Sequence, residues 1–195
     1  MTQMPTAPRS GSGHTFFVER VPTPTGPMLL LTDAAARVRA LDWEDHAQRL
    51  HRSLRLHYGE TASVVEAPHT SPARRALVAY FDGDLTALDA VETATGGTQF
   101  QRRVWDALRT IPAGTTWSYG QLAAAICQPT AVRAVGLANG ANPIGIIVPC
   151  HRVIGANASL TGYGGGLPRK RWLLDHERAL TERLLARPAG AGSWA

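Results

Sequence analysis

The first half of the chain alternates short apolar runs with turn residues. Phe16–Val18 and Met28–Leu31 flank a segment with three prolines and a glycine, which predicts two strands joined by a turn. The weaker alternation of Val38–Trp43 predicts a third strand. Apolar residues at helical spacing then predict two helices separated by a polar, irregular segment at residues 61–72. We place these helices at Glu44–Tyr58 and Pro72–Phe81.

The second half carries two matches to the capping box, in which a Ser or Thr caps a helix and a Gln three residues later reaches back. Thr98 with Gln101 begins one predicted helix, and Ser118 with Gln121 begins a shorter one. Both boxes precede apolar residues at helical spacing, so each helix is expected to bury one face.

A third predicted helix, Ala131–Asn139, follows Thr130, which can cap it. With the helix before it, this segment is a helix-turn-helix candidate. Its side chains are small except for Arg133, so it cannot read a base code well. The pattern indicates shape-driven binding in a minor groove, with Arg133 available to enter the base stack. An alanine-rich core hairpin with an incidental Arg133 is the alternative.

The apolar run Ile146–Val148 ends at Pro149, and Cys150 and His151 follow side by side. The run predicts a buried strand, and Pro149 ends it because proline has no N–H to donate. Cys150 is then expected at the mouth of a rigid element. His151 and the basic surroundings would stabilise its thiolate, the reactive form of the side chain. A buried structural cysteine is the alternative.

A glycine-rich loop, Thr161–Gly166, offers free backbone N–H groups to a ligand. Leu167 stands where the dinucleotide fingerprint needs its third glycine, so no dinucleotide is predicted. Pro168 is suited to the start of a helix that carries Glu177 on one side. The basic start of this helix, with Lys170, is a candidate contact to DNA phosphates, and a solvated cationic turn is the alternative.

Charge separates the two halves. Residues 1–95 contain 9 Arg and 11 acidic residues, a net charge of −2, whereas residues 96–195 contain 11 basic and 4 acidic residues, a net charge of +7. A basic half beside a weakly acidic half indicates that the second half meets a polyanion.

The length of 195 residues fits one domain or two small ones, and no apolar run is long enough to span a membrane. We predict a disordered tail at 1–13, an N-terminal domain at 14–95, a second domain at 96–186 and a frayed tail at 187–195. Two cysteines, Cys127 and Cys150, make no disulfide framework, so we expect a cytoplasmic protein.

Pro149–Val153 resembles the cysteine signature of the O6-alkylguanine-DNA alkyltransferases, also called methylated-DNA–protein-cysteine methyltransferases. The resemblance runs from about Thr98 to Glu177. It includes further blocks in the same order, namely Ser118–Tyr119, Arg133–Gly136, Asn142–Pro143, Thr161–Gly166 and Leu173–Glu177. It implies an α+β chain, in which a small ribonuclease-H-like α/β domain precedes a mainly helical winged helix-turn-helix domain that carries the cysteine.

The resemblance also implies DNA repair by direct transfer of an alkyl group to Cys150. The donor would be O6-alkylguanine in double-stranded DNA, with O4-alkylthymine left open as a second substrate. His151 would take the thiol proton, through a water, and Glu177 would fix the His151 tautomer. Asn142 would brace the turn, and Tyr119 would donate to the leaving guanine. Since a thioether is not hydrolysed by such groups, each molecule would react once, without a cofactor.

Further residues would bind DNA or the extruded base by the same resemblance. Arg133 would fill the gap that the flipped base leaves in the stack. Val148 and Cys150 would offer backbone carbonyls to the base, and Tyr163 and Gly164 would close the pocket. The remaining predicted DNA contacts are Ser118, Ala134, Gly136 and Lys170. We expect a monomer that binds no membrane, and clustering on DNA is left open.

One departure from the family concerns the pocket. Gly164 stands where some relatives carry Ser, so only its backbone N–H could meet the guanine oxygen. Some relatives also hold a structural zinc in the first domain, but residues 1–126 contain no cysteine and we predict no metal. The spacing of His46, His51 and His57 indicates surface histidines rather than ligands.

Three rival functions remain. A non-catalytic binder of alkylated DNA would lack Cys150. A winged-helix regulator would use Cys150 to sense oxidants or alkylators. A zinc site would need Cys127, Cys150, His151 and His176, but their spacings fit no compact finger. Transfer of a labelled methyl group to Cys150 separates all three from the alkyltransferase.

Overall fold

The structure, a computed structural model, describes residues 14–186 of the chain. The tails predicted at 1–13 and 187–195 lie outside the described residues. Helices and strands are mixed along the chain, in agreement with the predicted α+β class. Within residues 14–186, no helix has the length and apolar character needed to cross a membrane.

A four-stranded sheet occupies the first half. β1 (Thr15–Val21), β2 (Met28–Thr32) and β3 (Val38–Trp43) are antiparallel neighbours, which confirms the three predicted strands. β4 (Ser63–Glu66) pairs with β1 in parallel, giving the order β3-β2-β1-β4. The prediction that residues 61–72 are irregular was wrong here. All four β4 residues are exposed, so this edge strand lacks the alternation that reveals a half-buried one.

Two helices pack on this sheet. α1 (Ala47–Tyr58) lies against β3, and α2 (Pro72–Phe81) lies against β1. A short 3₁₀ turn at Glu44–His46 precedes α1, so the two predicted helices are confirmed with a small change at one end.

The second half is mainly helical. Its helices and strands are α3 (Gln99–Leu108), β5 (Trp117–Ser118), α4 (Tyr119–Ala125), α5 (Val132–Gly140), β6 (Val153–Ile154) and α6 (Leu167–Ala186). Both predicted capping boxes are present, with each hydroxyl accepting from the third helical N–H and each Gln reaching back. The predicted Thr130 cap is wrong. Ala131 occupies the N-cap position of α5, one residue after Thr130, and α5 has no side-chain cap.

One hydrophobic core joins the two halves. It includes Val21 and Tyr80 from the first half and Val104 and Leu173 from the second. At the edge of the sheet, the Leu41 N–H donates to the Pro143 carbonyl (2.9 Å) and the Gly145 N–H donates to the Leu41 carbonyl (3.0 Å). β3 therefore anchors the segment that leads to Cys150.

The predicted buried strand at Ile146–Val148 is wrong. Ile146 has a positive φ of 68°, and the Val148 N–H bonds the carbonyl of Ile144 in a turn. A single 3₁₀ turn, Cys150–Arg152, follows. The run is buried on all sides, and a short, fully buried apolar run has no periodicity that separates a strand from a packed turn.

Candidate active site

Cys150 is the first residue of the 3₁₀ turn, and only 6% of its surface is exposed. Burial raises the pKa of the Cys150 thiol, because a thiolate is poorly solvated there. The Asn142 amide and the nearby charges of Lys170 and Arg49 act in the opposite direction. The resting side chain is thus a neutral thiol in surroundings that partly compensate the charge of a thiolate.

Asn142 connects Cys150 to the turn before it. Its Nδ2 donates to Cys150 Sγ at 3.1 Å and to the Val148 carbonyl at 2.8 Å. Its Oδ1 accepts from the Ile144 N–H at 3.0 Å. The side chain therefore lies in the bracing position that the sequence predicted, and it also contacts the sulfur directly.

His151 and Glu177 form a pair that is closed to solvent. His151 Nε2 lies 2.9 Å from Glu177 Oε1, and both residues are 0% exposed. Burial lowers the pKa of His151, although the Glu177 charge opposes this. A neutral ring that donates from Nε2 keeps its lone pair on Nδ1, and Nδ1 has no hydrogen-bond partner within residues 14–186. The ring can therefore accept a proton at Nδ1.

The predicted separation of Cys150 and His151 onto opposite faces assumed an extended backbone. That premise is wrong, because both residues belong to one 3₁₀ turn. His151 Nδ1 nevertheless makes no hydrogen bond to Cys150 Sγ, so transfer through a bridging water stays a prediction.

The Glu177 carboxylate accepts more hydrogen bonds than the sequence predicted. Arg152 donates to both carboxylate oxygens, and the Gly114 N–H donates to Oε2 at 3.1 Å. The Tyr80 hydroxyl donates to Oε1 at 2.9 Å. Burial alone would raise the pKa of Glu177, but His151 and Arg152 hold it well below its usual range. The carboxylate therefore stays charged, and sequence reasoning assigned no role to Arg152 or Tyr80.

Cys150 borders a small cavity of about 20 Å³. Tyr163 and Gly164 line it as predicted, and Trp43 and Arg49 contribute from the first half of the chain. Sequence reasoning missed the last two. A larger cavity of about 490 Å³ touches Pro149 and Arg152 but not Cys150. We take the smaller cavity as the reaction site because, of these two cavities, it is the one that Cys150 lines.

Arg49 explains why glycine is present at position 164. A Cβ built at Gly164 would collide with the Arg49 guanidinium. Arg49 is itself held by Asp42, with Nε donating to Oδ2 at 2.7 Å. The glycine at position 164 therefore leaves room for an arginine from the first half.

The other predicted contacts to the base, Tyr119, Gly136, Ser118 and Val148, do not line this cavity. Tyr119 accepts a hydrogen bond from Thr161 Oγ1 at 3.1 Å, and its ring faces Gly136. The Ser118 hydroxyl is engaged as the cap of α4. The Val148 carbonyl already accepts from Asn142 Nδ2 and from the Cys150 N–H, the usual capacity of a carbonyl oxygen. This arrangement weighs against Val148 as an acceptor for a base.

Arg133 and Ala134 lie on the exposed face of α5. Leu137, one turn further along, is 78% exposed. In contrast, the prediction that Lys170 contacts phosphate is wrong. Lys170 is 0% exposed, and its Nζ donates to the carbonyls of Val153 (2.6 Å) and Thr161 (3.0 Å). The Lys170 side chain points from α6 into the protein interior. The neighbouring basic residues did not indicate this direction.

The sequence matches the family model described as the DNA-binding domain of 6-O-methylguanine DNA methyltransferase over residues 99–179. It is also 52% identical over 160 residues to the methylated-DNA–protein-cysteine methyltransferase of Salmonella typhimurium, covering 82% of this chain and 94% of the relative. The chain belongs to the methylated-DNA–protein-cysteine methyltransferase family.

Two mycobacterial comparisons agree with this family. The Mycobacterium tuberculosis methylated-DNA–protein-cysteine methyltransferase is 64% identical over 103 residues, 53% of this chain and 62% of the relative. The crystal structure of Mycobacterium tuberculosis OGT in complex with DNA superposes with a TM-score of 0.70 at 44% identity, covering 85% of this chain and 94% of that one. This methyltransferase is thus a DNA repair enzyme that transfers an alkyl group to a cysteine.

Proposed function

We propose that Cys150 is the acceptor, and that each molecule removes one alkyl group from O6-alkylguanine in double-stranded DNA. The observation that carries this proposal is the Cys150 thiol held by Asn142 beside the buried His151–Glu177 pair. The sulfur attacks the alkyl carbon, the carbon–sulfur bond forms, and the bond between that carbon and the guanine oxygen breaks. The thiol proton passes through a water to His151 Nδ1, because Nδ1 makes no direct hydrogen bond to Cys150 Sγ, and the guanine leaves with the electron pair.

The pKa shifts at this site fit a proton that moves during the reaction. The raised pKa of Cys150 keeps the thiol protonated at rest, and the lowered pKa of His151 keeps its ring neutral. Once His151 takes the proton, the charged Glu177 stabilises the imidazolium in a site with little solvent screening. Tyr119 is proposed to donate to the leaving base.

The exposed face of α5 is the proposed DNA contact. We assign α4 and α5 to the helix-turn-helix unit, with α5 in the minor groove because its exposed residues other than Arg133 are small or apolar. Arg133 is proposed to occupy the space of the flipped base. Leu137, on the same face, has the character of the apolar side chains that proteins place in minor grooves.

A flipped guanine requires the pocket to widen, because the cavity beside Cys150 holds about 20 Å³. The side chains that limit it, Arg49 and Tyr163, are proposed to shift when the base arrives. Tyr163 and Gly164 then close over the base. We also propose that the enzyme acts as a monomer, since all named catalytic side chains come from one chain.

Mass spectrometry of the protein after reaction tests this function. The protein is incubated with duplex DNA carrying a labelled methyl group on a guanine oxygen, then digested to locate the label. We expect one methyl group per protein on Cys150, no turnover, and loss of the label in Cys150→Ser. Cys127→Ser is the matched control, because Cys127 is exposed and does not line the cavity beside Cys150. Continuous turnover, or a label elsewhere, would contradict the proposal, and O4-methylthymine DNA in the same assay measures substrate breadth.

A further inference from the structure

The Glu177 carboxylate receives one donor from the first half of the chain. That donor is the Tyr80 hydroxyl on α2, 97 residues earlier, whereas His151, Arg152 and Gly114 all belong to the second half. Tyr80 is 0% exposed, so this hydrogen bond lies in the core that joins the two halves. α2 therefore reaches the residue that orients His151.

Tyr80 and His151 share one oxygen atom. Both lie 2.9 Å from Glu177 Oε1, and Arg152 Nη2 lies 2.8 Å from it. A hydrogen bond to a carboxylate draws electron density toward its donor. The hydrogen bond from Tyr80 lowers the electron density on Oε1 and so weakens the interaction of Oε1 with the His151 ring. Tyr80 can therefore affect the proton affinity of His151 without contacting it.

The Tyr80 hydroxyl is restricted to donating its proton to Glu177. Burial, and then the Glu177 charge, raise the pKa of Tyr80 well above its usual value, so the side chain stays neutral. The residue is also fixed from α6. The His176 ring packs edge-on against the Tyr80 ring, with centroids 5.4 Å apart, and His176 Nε2 lies 3.0 Å from the Tyr80 carbonyl oxygen. Two consecutive residues of α6 thus bind Tyr80.

We infer that Tyr80 is a positioning residue of the active site, which sets the proton affinity of His151 through Glu177. The first half of the chain then contributes to the chemistry and not only to the fold. The inference rests on the proposed function for its effect on the reaction, because it assumes that neutral His151 takes the thiol proton. Its effect on His151 itself is independent of that assumption.

Tyr80→Phe tests the inference with the ring retained. Without the hydroxyl, Glu177 Oε1 interacts more strongly with the N–H of His151, which favours the imidazolium. We expect the acid-side midpoint of the single-turnover methyl-transfer rate to move upward by about half a pH unit, measured from about pH 4.5 to about pH 9. DNA affinity should stay unchanged, because Tyr80 is buried away from the exposed face of α5.

The matched control is Tyr58→Phe. Its hydroxyl is hydrogen-bonded in a partly buried setting too, but to backbone groups, the Ala94 carbonyl and the Gly96 N–H, and not to the carboxylate of Glu177. It should leave the pH profile at the wild-type position. A Tyr80→Phe midpoint within about 0.1 unit of wild type, with thermal stability alone reduced, would overturn the inference and leave Tyr80 a packing residue.

NMR titration of the His151 imidazole in DNA-free protein separates the two proposals. The ¹⁵N shifts report both protonation and which ring nitrogen carries the hydrogen. An upward shift of the His151 titration midpoint in Tyr80→Phe supports the positioning role. Absence of methyl transfer by the wild-type protein would reject the proposed function but would leave this support intact. Identical His151 titrations in wild type and Tyr80→Phe would overturn the inference whatever the activity.

Discussion

Glu177→Gln removes one negative charge from the buried site while keeping the shape of the side chain. The carboxylate neutralises Arg152, which is 8% exposed, and accepts from His151 and Tyr80. A neutral amide oxygen can still accept one or two of these hydrogen bonds. It leaves the Arg152 guanidinium without a counter-charge, and it removes the charge that stabilises protonated His151.

The stability cost follows from this geometry. Breaking a buried ion pair typically costs about 3–5 kcal/mol. Arg152 keeps its bond to the Ile111 carbonyl and a neutral acceptor at position 177, so we expect about 3 kcal/mol, the lower end of that range. For a chain of this size each kcal/mol shifts the melting temperature by about 2–4 °C, so Tm should fall by about 6–12 °C.

The pH dependence of the stability difference has a definite sign. The folded-state pKa of Glu177 is lowered, so its contribution is fully present above the unfolded pKa of about 4.3 and is lost as pH falls below it. The pKa of His151 is lowered too, so stability is also lost as pH falls below about 6.5. Because Glu177 stabilises protonated His151, the free energy of unfolding of the variant should fall more than that of wild type between these two pH values. The difference in the free energy of unfolding between wild type and variant should become smaller only below about pH 4.3.

Urea denaturation and single-turnover methyl transfer measure the two consequences. The transfer rate should fall by about 100-fold or more, since removing an orienting carboxylate from such a pair has effects of this order or larger. Glu60→Gln is the control, because Glu60 forms only an exposed pair with Arg55 and should change neither quantity appreciably. A Glu177→Gln protein with a rate within about threefold of wild type and an unchanged Tm would refute the reasoning.

Three further substitutions test other parts of the site. Asn142→Ala should move the pH midpoint of Cys150 alkylation by iodoacetamide upward, because the amide no longer donates to the sulfur; an unchanged midpoint would show that this bond does not favour the thiolate. Lys170→Met should lower the free energy of unfolding by about 1–3 kcal/mol and leave the salt dependence of DNA binding unchanged. If the slope of log K against log salt concentration became smaller by about one, Lys170 would contact a phosphate after all. Leu137→Asp should weaken DNA binding about tenfold or more without changing Tm, since Leu137 is exposed and a carboxylate would face phosphates. Leu56→Asp, at an equally exposed leucine on α1, serves as its control, and equal effects of the two would exclude a specific contact at Leu137.

Features that depend on neighbouring residues could be predicted from the chain. The capping boxes at Thr98 and Ser118 formed as predicted, because each is closed within one helical turn. The strands β1 to β3 and the helices followed their apolar periodicity. Cys150 and His151 are adjacent in the chain, so no fold could separate them, and the resemblance in the second half indicated the family correctly.

Several contacts between distant parts of the chain depend on how its helices and strands pack. The resemblance paired Glu177 with His151, but nothing in the sequence placed Tyr80 on Glu177 across 97 residues, or Trp43 and Arg49 beside the Cys150 cavity. The Ile146–Val148 run formed a packed turn, and Lys170 pointed inward to two carbonyl oxygens. Periodicity records which face of one element is apolar, whereas these outcomes depend on which elements pack together and which polar groups they bury. For that reason Cys150 and the family's partner residues could be predicted from the chain, whereas the contacts of Arg152, Tyr80 and Arg49 could not.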